Sequence, residues 1–408
     1  MIQPVREAYN QAFSPERYRD FLGTIDTDLP GQLDFRVAET PIFVPKVLTD
    51  KILQACDDII AVIARDDFKA LTEKAIPAEQ HVPNEPDNGL DAHTQFMAVD
   101  FAVCRDASGG PAHGELTPQL IELQGFPSLY NFQPYLATLF RSFYPIPDNL
   151  SHLFTVANNA EYLEQLRQMI VGDCLPEEVI LLEIYPEKQK TRIDFMLTEK
   201  QLGVAAVCLT KIRKEGRNLF YEKEGRQIRI KRIYNRLIFD DLQNYPGLRT
   251  DFHLTDDVDV EWVGHPNWFF RLSKYTLPLL KSPYVPASYY LSDLGTYPTD
   301  LENYVLKPLF SFAGSGVKLN ITTDDLDAIP SYQRDGYLIQ RKVKYEPIIQ
   351  SPDGLVKCEI RMLFIWPKED ARPTLLTNLG RLSRGEMIGV NFNKNKDWVG
   401  GTVCFFEK

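Results

Sequence analysis

Residues 304–317 read Tyr304-Val305-Leu306-Lys307-Pro308-Leu309-Phe310-Ser311-Phe312-Ala313-Gly314-Ser315-Gly316-Val317, an apolar run that ends in a lysine and is followed by a loop of small residues. A lysine at the end of a strand can reach a phosphate oxygen, and glycines let backbone N–H groups approach phosphates without an obstructing Cβ. The lysine precedes the glycines, which is the reverse of the order in a Walker A loop. The stretch therefore predicts a phosphate-binding lysine, Lys307, on a strand beneath a glycine-rich flap. A plain β-hairpin with glycine at its turn is the alternative.

The composition is that of a globular protein with more than one lobe. At 408 residues the chain is long enough for two or three lobes, and its 44% hydrophobic and 25% charged residues are ordinary values. The formal net charge of -11 argues against a nucleic-acid-binding surface, which depends on phosphate neutralisation by Lys and Arg. A local basic pocket for a nucleotide remains compatible with this charge.

Neither a zinc site nor a disulfide framework is predicted, because the cysteines are widely scattered and no CxxC pair occurs. The segment Met1–Glu7 lacks the features of a secretory signal, and no stretch approaches the roughly 20 apolar residues that cross a bilayer. We therefore expect a cytoplasmic protein with no membrane partner. The six cysteines are Cys56, Cys104, Cys174, Cys208, Cys358 and Cys404.

The order of predicted elements indicates an α/β protein. Two apolar strands, at 95–103 and 119–124, should pair antiparallel. A strand at 178–184, a helix at 190–202 and a strand at 203–208 predict a βαβ unit in a doubly wound middle lobe. Other expected elements are helices at 49–64 and 159–171, a helix after Pro266 that carries Lys274, and strands at 304–307, 337–343 and 357–366 around a short helix near Asp324.

Three oxygen-bearing side chains are expected to converge from two neighbouring strands. Asp100 lies within an otherwise apolar strand, and Glu122 and Gln124 are two positions apart on the next strand, hence on one face. Mg²⁺ takes a few protein oxygens and completes its octahedron with water and nucleotide phosphates. The set predicts a magnesium site. A solvated sheet face, or pairing with Arg or Lys, is the alternative.

A second set of residues is cationic. A group of several lysines and arginines is suited to phosphoryl transfer, because positive charge stabilises the γ-phosphate and the departing ADP. Surface cations and ion-pair partners are the alternative for each residue taken singly. Gln340 lies in the strand 337–343, whose polar end could offer hydrogen bonds to an adenine edge; an exposed edge strand is the competing interpretation. The cations are Lys274, Lys307, Arg361, Arg381 and Arg384.

With these residues in place, the chain resembles the circularly permuted ATP-grasp proteins, the group that includes glutathionylspermidine synthase. That family carries an Asp on one strand and a Glu-x-Asn on the next early in the chain, and its two ATP lysines late. Here Asp100 and Glu122-Leu123-Gln124 precede Lys274 and Lys307. The resemblance, from about residue 96 onward, implies a permuted ATP-grasp fold that binds Mg²⁺ through Asp100, Glu122 and Gln124.

Further segments follow the family pattern. Residues 233–237 are similar to its Tyr-Arg-Arg stretch, and residues 380–384 to its Gly-Gly-Leu-Thr-Arg element. Two departures are Gln124 in place of Asn and Ala98 in place of a frequent Arg. The resemblance implies catalytic roles for Arg236, Arg361 and Arg384. It implies ATP contacts for Lys274, Lys307, Ser311, Ala313, Gly314, Ser315, Gly316 and Gln340.

The resemblance also implies a domain plan and a reaction. Residues 1–150 would hold the metal-binding half of the core, 151–265 a Rossmann-like lobe, and 266–408 a lid lobe that returns to the core. The implied reaction joins a small-molecule or peptide carboxylate to an amine: ATP phosphorylates the carboxylate, and the amine attacks the acyl phosphate. Two alternatives share the nucleotide contacts: a non-catalytic nucleotide-binding regulatory or scaffold protein, motivated by Gln124 and Ala98, and a small-molecule phosphotransferase.

Overall fold

A computed structural model of the chain describes residues 1–86, 92–106, 114–310, 316–385, 393 and 396–408. Over these residues the protein is a mixed α/β structure with five β-sheets, and none of the helices found there is long and apolar enough to cross a membrane. The α-helices are α1 Gln3–Ala12, α2 Pro15–Asp28, α3 Lys46–Ile63, α4 Phe68–Thr72, α5 Phe132–Phe143, α6 Asn159–Ile170, α7 Arg192–Leu202, α8 Phe239–Gln243, α9 Trp268–Arg271 and α10 Thr323–Asp327. The strands are β1 Ile42–Val44, β2 Phe96–Arg105, β3 Leu116–Gln124, β4 Leu150–Ser151, β5 Val179–Glu183, β6 Ala205–Cys208, β7 Arg213–Glu215, β8 Asn218–Lys223, β9 Arg226–Ile230, β10 Arg232–Asn235, β11 Glu261–Val263, β12 Ser288–Tyr290, β13 Tyr304–Pro308, β14 Tyr337–Arg341, β15 Ile349–Ser351, β16 Gly354–Ile365, β17 Thr374–Ser383, β18 Gly400–Thr402 and β19 Cys404–Glu407.

The largest sheet joins the first third of the chain to the last third. Its order is β18-β17-β16-β2-β3, with β15 paired to the start of β16 and all neighbours antiparallel. Side chains alternate along β2 between two apolar clusters: Ala98 packs into one face and Val99 into the other. Both faces are therefore covered. A carboxylate within this strand, such as Asp100, needs a charged or hydrogen-bonding partner.

A parallel sheet forms the middle of the chain, in the order β11-β10-β5-β6. Strand β5, helix α7 and strand β6 make up the predicted βαβ unit, which the structure confirms. Helix α7 ends at Leu202 and is capped by Gly203, whose φ of +76° is a left-handed conformation that glycine adopts without strain. The predicted bounds of these elements are close to the observed ones because their apolar patterns are local.

A smaller antiparallel sheet, β12-β14-β13, brings two predicted nucleotide residues together. In this sheet Val305 is the register partner of Gln340, and Lys307 the partner of Leu338. Lys307 and Gln340 therefore lie on neighbouring strands, two register positions apart. The predicted strand at 304–307 and the polar end of the strand at 337–343 form one surface.

The C-terminal strands are built into two sheets. Strand β18 pairs with β17 in the large sheet, and β19 lies between β1 and β4, parallel to β1 and antiparallel to β4. Phe405 packs into one large apolar cluster and Phe406 into the other. Strand β19, near the end of the chain, thus completes the sheet that contains β1.

One predicted helix is broken in the structure. Helix α9 ends at Arg271, and Lys274 begins a separate 3-10 helix, Lys274–Leu279. The side chain of Ser273 accepts a hydrogen bond from the backbone N–H of Tyr275, which starts the new helix, and Pro278 has no N–H to extend a regular α-helix. The prediction of a continuous helix was therefore wrong.

Candidate functional site

The two acidic strands place their carboxylates side by side. Asp100 and Glu122 are register partners on β2 and β3, and the register shifts immediately after Asp100. Such an irregularity changes the local twist of a strand and redirects its side chains. Asp100 is fully buried, whereas Glu122 is partly exposed. The predicted adjacency of the two acids is thus present in the fold.

Two arginines neutralise Asp100. Nε and Nη2 of Arg361 donate to the two carboxylate oxygens, each at 2.6 Å, and Nη2 of Arg381 lies 3.3 Å from Oδ2. Arg361 faces Asp100 in the register between β16 and β2. A bidentate arginine–carboxylate pair is among the strongest hydrogen-bonded ion pairs in proteins. In this structure Asp100 is therefore bound to cations of the protein itself.

Glu122 is held as a carboxylate by surrounding positive charge. Burial opposes its ionisation, but Lys274, Arg361 and Arg381 outweigh burial and hold the pKa of Glu122 below its ordinary value. Nε2 of Gln124 donates to Oε1 of Glu122 at 2.7 Å. Gln124 thus presents its amide nitrogen to Glu122, which leaves the carbonyl oxygen of the amide for another partner.

Lys307 crosses from the smaller sheet to the acidic strands. Its Nζ donates to Oε1 of Gln340 at 2.6 Å and to the backbone oxygen of Ile121 at 3.3 Å. Burial lowers the pKa of Lys307 to about 8; Glu122 raises it, while Lys274 lowers it further. The side chain of Gln340 is buried, and its Nε2 has no hydrogen-bond partner among the described residues. An acceptor supplied by a ligand would satisfy this amide group.

Lys274 belongs to the same cluster. It is buried at the start of its 3-10 helix, and burial lowers its pKa while the charges of Glu122 and Asp240 oppose that shift. Its two carboxylate neighbours come from β3 and α8. Lys274 therefore links the acidic strand β3 to α8, which lies in the chain between β10 and β11 of the parallel sheet.

Sequence analysis missed two members of this cluster, Glu359 and Tyr345. Glu359 is buried two residues before Arg361 on β16, so both side chains lie on one face of the sheet. The hydroxyl of Tyr345 donates to Oε2 of Glu359 at 2.9 Å, and Nη1 of Arg381 lies 2.9 Å from Oε1. The two-residue spacing from Arg361 was a usable signal for Glu359. No sequence pattern pointed to Tyr345.

The other two predicted arginines are engaged elsewhere. Nη1 of Arg236 donates to the backbone oxygens of Phe126 and Pro127, at 2.8 and 2.7 Å, in the loop after β3. The guanidinium of Arg384 donates to the backbone oxygens of Asp353 and Asp397 and to the hydroxyl of Ser351. Arg236 therefore contacts the loop that follows β3 and borders the site. Arg384 contacts the turn between β15 and β16 and the C-terminal segment. Their catalytic roles stay predictions.

The flap is described only in part. Ser311, Ala313, Gly314 and Ser315 lie outside the described residues. Gly316 has a φ of +70°, and a Cβ at this position would lie 2.8 Å from Cγ of Pro308. A glycine is therefore required where the chain passes the end of the Lys307 strand.

The cluster as a whole lies at the junction of the large and small sheets, where Glu122 and Arg381 keep part of their side chains exposed. We call this junction the cleft. In the part of the chain that the structure describes, four cations lie close to four carboxylates when Asp240 beside Lys274 is included, and cations of this type bind a polyanion such as a triphosphate. Among the described residues no group of three or more His, Cys, Asp and Glu is placed to hold a metal ion. A separate cavity of about 510 Å³, lined by residues that include Trp262, His265 and His93, contains none of the predicted site residues. The cleft cations are Lys274, Lys307, Arg361 and Arg381, and the carboxylates are Asp100, Glu122, Asp240 and Glu359.

Comparisons with known proteins identify a structural relative. No family model matches the chain, and no curated protein matches its sequence. A solved structure, that of a glutathione synthetase-like effector (GSS30) from Globodera pallida in its apo form, is similar with a TM-score of 0.58 and 11% sequence identity, covering 91% of this chain and 95% of that chain. At this identity the similarity concerns the fold alone. The chain therefore shares the α/β fold of a glutathione synthetase-like protein.

Proposed function

We propose that the protein is an ATP- and Mg²⁺-dependent ligase that joins a carboxylate to an amine, with a circularly permuted ATP-grasp architecture. The observation that carries the proposal is the position of Lys307. This lysine is buried between the acidic strand β3 and Gln340, whose Nε2 has no hydrogen-bond partner among the described residues. A triphosphate would meet there both a cation and a carboxylate proposed to bind the metal. The shared fold with a glutathione synthetase-like protein supports the same class of reaction.

Glu122, Asp100 and Gln124 carry oxygen donors of the kind that a divalent cation takes, but in this structure both carboxylate oxygens of Asp100 accept hydrogen bonds from Arg361. Glu122 would hold the ion, with Asp100 and the carbonyl oxygen of Gln124 next to it, and the ion would neutralise charge on the transferred phosphate. Lys274 and Lys307 would hold the phosphates, and Gln340 would offer its amide N–H group to the ligand. In phosphoryl transfer the main task of a protein is to hold the phosphate groups in place and to neutralise their charge. The side chains around the cleft would perform this task.

A second function is favoured by the pairing of Asp100 with two arginines. If this pairing persists in the presence of nucleotide, one of the metal-binding carboxylates stays neutralised by the protein. The protein would then bind ATP as a regulatory or scaffold protein without turnover.

Binding and turnover are tested separately. We expect calorimetry to detect binding of a non-hydrolysable ATP analogue with Mg²⁺. Lys307→Met should weaken binding at least about 10-fold, which is about 1.4 kcal/mol, because a phosphate contact is lost. The exposed Lys281→Met variant, the matched control, should bind as the wild type does.

Release of ADP in a screen of carboxylates and amines would support the ligase, and Glu122→Gln should abolish it. Binding without ADP release throughout that screen supports the regulatory alternative. Absence of binding to the wild-type protein at millimolar nucleotide would refute both.

A further inference from the structure

The two arginines at Asp100 are not equivalent. The side chain of Arg361 is 7% exposed and that of Arg381 is 30% exposed. Arg361 directs two donors at Asp100 in one bidentate contact. Arg381 directs one donor at each of two carboxylates, Nη1 at Glu359 and Nη2 at Asp100. Arg361 is thus the buried counter-ion of Asp100, and Arg381 is shared between two acids at the edge of the cleft.

The two arginines would respond differently to an incoming phosphate. If Arg361 moved away, both carboxylate oxygens of Asp100 would lose a hydrogen bond. Asp100 is fully buried, and leaving a buried carboxylate without its partner costs much free energy. Arg381 makes only a 3.3 Å contact with Asp100, and two contacts engage two of the five N–H donors of a guanidinium. Arg381 can therefore turn donors toward a phosphate while its contact with Glu359 is kept.

Glu359 is fixed from two sides. It is the register partner of Arg381 across β16 and β17, and the hydroxyl of Tyr345 donates to its second oxygen. Burial raises the pKa of Glu359 to about 7; Arg381 opposes the shift, and Asp100 and Glu122 add to it. The carboxyl group thus holds one edge of the Arg381 guanidinium in a set place next to the acidic strands.

We propose that Arg381 is the arginine of the cleft that contacts the nucleotide phosphates, and that Glu359 is the residue that positions it. Arg361 then serves as the fixed counter-ion of Asp100. The proposal rests on the nucleotide-binding function proposed above, and it gives the phosphate contact to Arg381, which is not among the three arginines to which the family resemblance gives catalytic roles. Arg381 acts through direct contact with the ligand, whereas Glu359 acts only through Arg381.

Four variants test the assignment by calorimetry with the non-hydrolysable ATP analogue and Mg²⁺. Arg381→Lys keeps the charge but loses the planar fork, and should raise Kd about 10-fold or more. Glu359→Gln should raise Kd about 3- to 10-fold. The double variant Arg381→Lys with Glu359→Gln should bind as Arg381→Lys does, because Glu359 has no separate effect once Arg381 is altered. The exposed Lys281→Met variant is the control and should leave Kd within about 3-fold of the wild type.

The outcomes separate the two proposals. Wild-type affinity in Arg381→Lys, or additive losses in the double variant, would overturn the assignment while the wild-type protein still binds nucleotide. A wild-type protein that fails to bind would instead refute the proposed function. The comparison of Arg381→Lys with the double variant decides the question, because neither variant replaces Arg361 or Asp100.

Discussion

At the carboxyl end of β5, Glu183 carries a carboxyl group that is 4% exposed and accepts a hydrogen bond from the backbone N–H of Ile184. Burial raises its pKa from 4.5 to about 8; the hydrogen bond from Ile184 and the charge of Arg236 oppose the shift, and Asp241 adds to it. Because the pKa is higher in the folded state, the unfolded state binds fewer protons between pH 4.5 and 8, and Glu183 costs increasing stability as pH rises through that window.

We therefore expect Glu183→Gln to be more stable than the wild type at pH 8, by at most about 5 kcal/mol, and to differ little near pH 4.5. The glutamine keeps an acceptor for Ile184 without a charge. Urea denaturation at both pH values measures the effect. The exposed Glu187→Gln variant is the control and should change stability by less than about 0.5 kcal/mol. A Glu183→Gln variant that is less stable than the wild type at pH 8 would contradict this explanation.

Single residues also show how far sequence reasoning reaches. Asp100 and Glu122 were found because a carboxylate in an apolar strand is unusual in itself. The proximity of Glu122 to Lys307 was expected from the resemblance, and Lys307 donates to the backbone oxygen of Ile121, the residue before Glu122. The pairing of Asp100 with Arg361 needs the register of two strands that are 261 positions apart in the chain, which no local pattern contains.

At the scale of elements, the loop after β3 ties the acidic strands to the parallel sheet. Arg236 donates to two backbone oxygens of the loop. Asp194 on α7 accepts hydrogen bonds from the backbone N–H groups of Leu129, Asn131 and Phe132 at 2.8–2.9 Å. Leu129 has a φ of 75°, a left-handed conformation that a leucine rarely adopts and that these bonds hold in place. The loop is therefore a fixed connection.

Gly125 sets the distance between β3 and α9. A Cβ at this position would lie 2.4 Å from the backbone oxygen of Trp268, and a backbone atom cannot move aside as a flexible side chain can. We expect Gly125→Ala to destabilise the protein by about 1–3 kcal/mol, measured by urea denaturation. The control is Gly23→Ala in α2, where a Cβ meets nothing within 4 Å. That change should stabilise the protein by about 0.5–1 kcal/mol, since alanine favours a helix over glycine. Equal effects of the two substitutions would disprove the close approach.

Elements with a strong local pattern were predicted well. The βαβ unit and the two antiparallel strands were found because apolar spacing distinguishes strands from helices within about ten residues. The segment after Pro266 was predicted as one helix, although Ser273 and Pro278 divide it. Its apolar residues suit both arrangements, and the side-chain cap at Ser273 decided between them.

At the scale of the whole molecule, the N-terminal and C-terminal parts of the chain pack against each other in the core. Strand β19 is the middle strand of its sheet, and Phe405 and Phe406 are buried in the two large clusters on either side. Arg36, near the N-terminal end, donates to the backbone oxygen of Val399. The final residues are therefore part of the core.

Deletion of residues 403–408 should abolish cooperative unfolding, because it removes the central strand of one sheet and opens both apolar clusters. Thermal denaturation followed by near-UV circular dichroism, together with binding of a hydrophobic dye, measures the loss. Deletion of the exposed Lys408 alone is the control and should leave the transition unchanged. A sharp thermal transition in the longer deletion would show that the terminal strand is dispensable.

The sequence by itself determined the fold class, the existence of the acidic strands and the chemical type of the cleft residues, because these follow from local apolar patterns and from ionisable groups in unusual places. Only the tertiary structure decided which charges pair, which arginine is buried, and that Glu359 and Tyr345 complete the cluster. Strand register and burial set these features. Both depend on contacts between distant parts of the chain, whose energies no single segment contains.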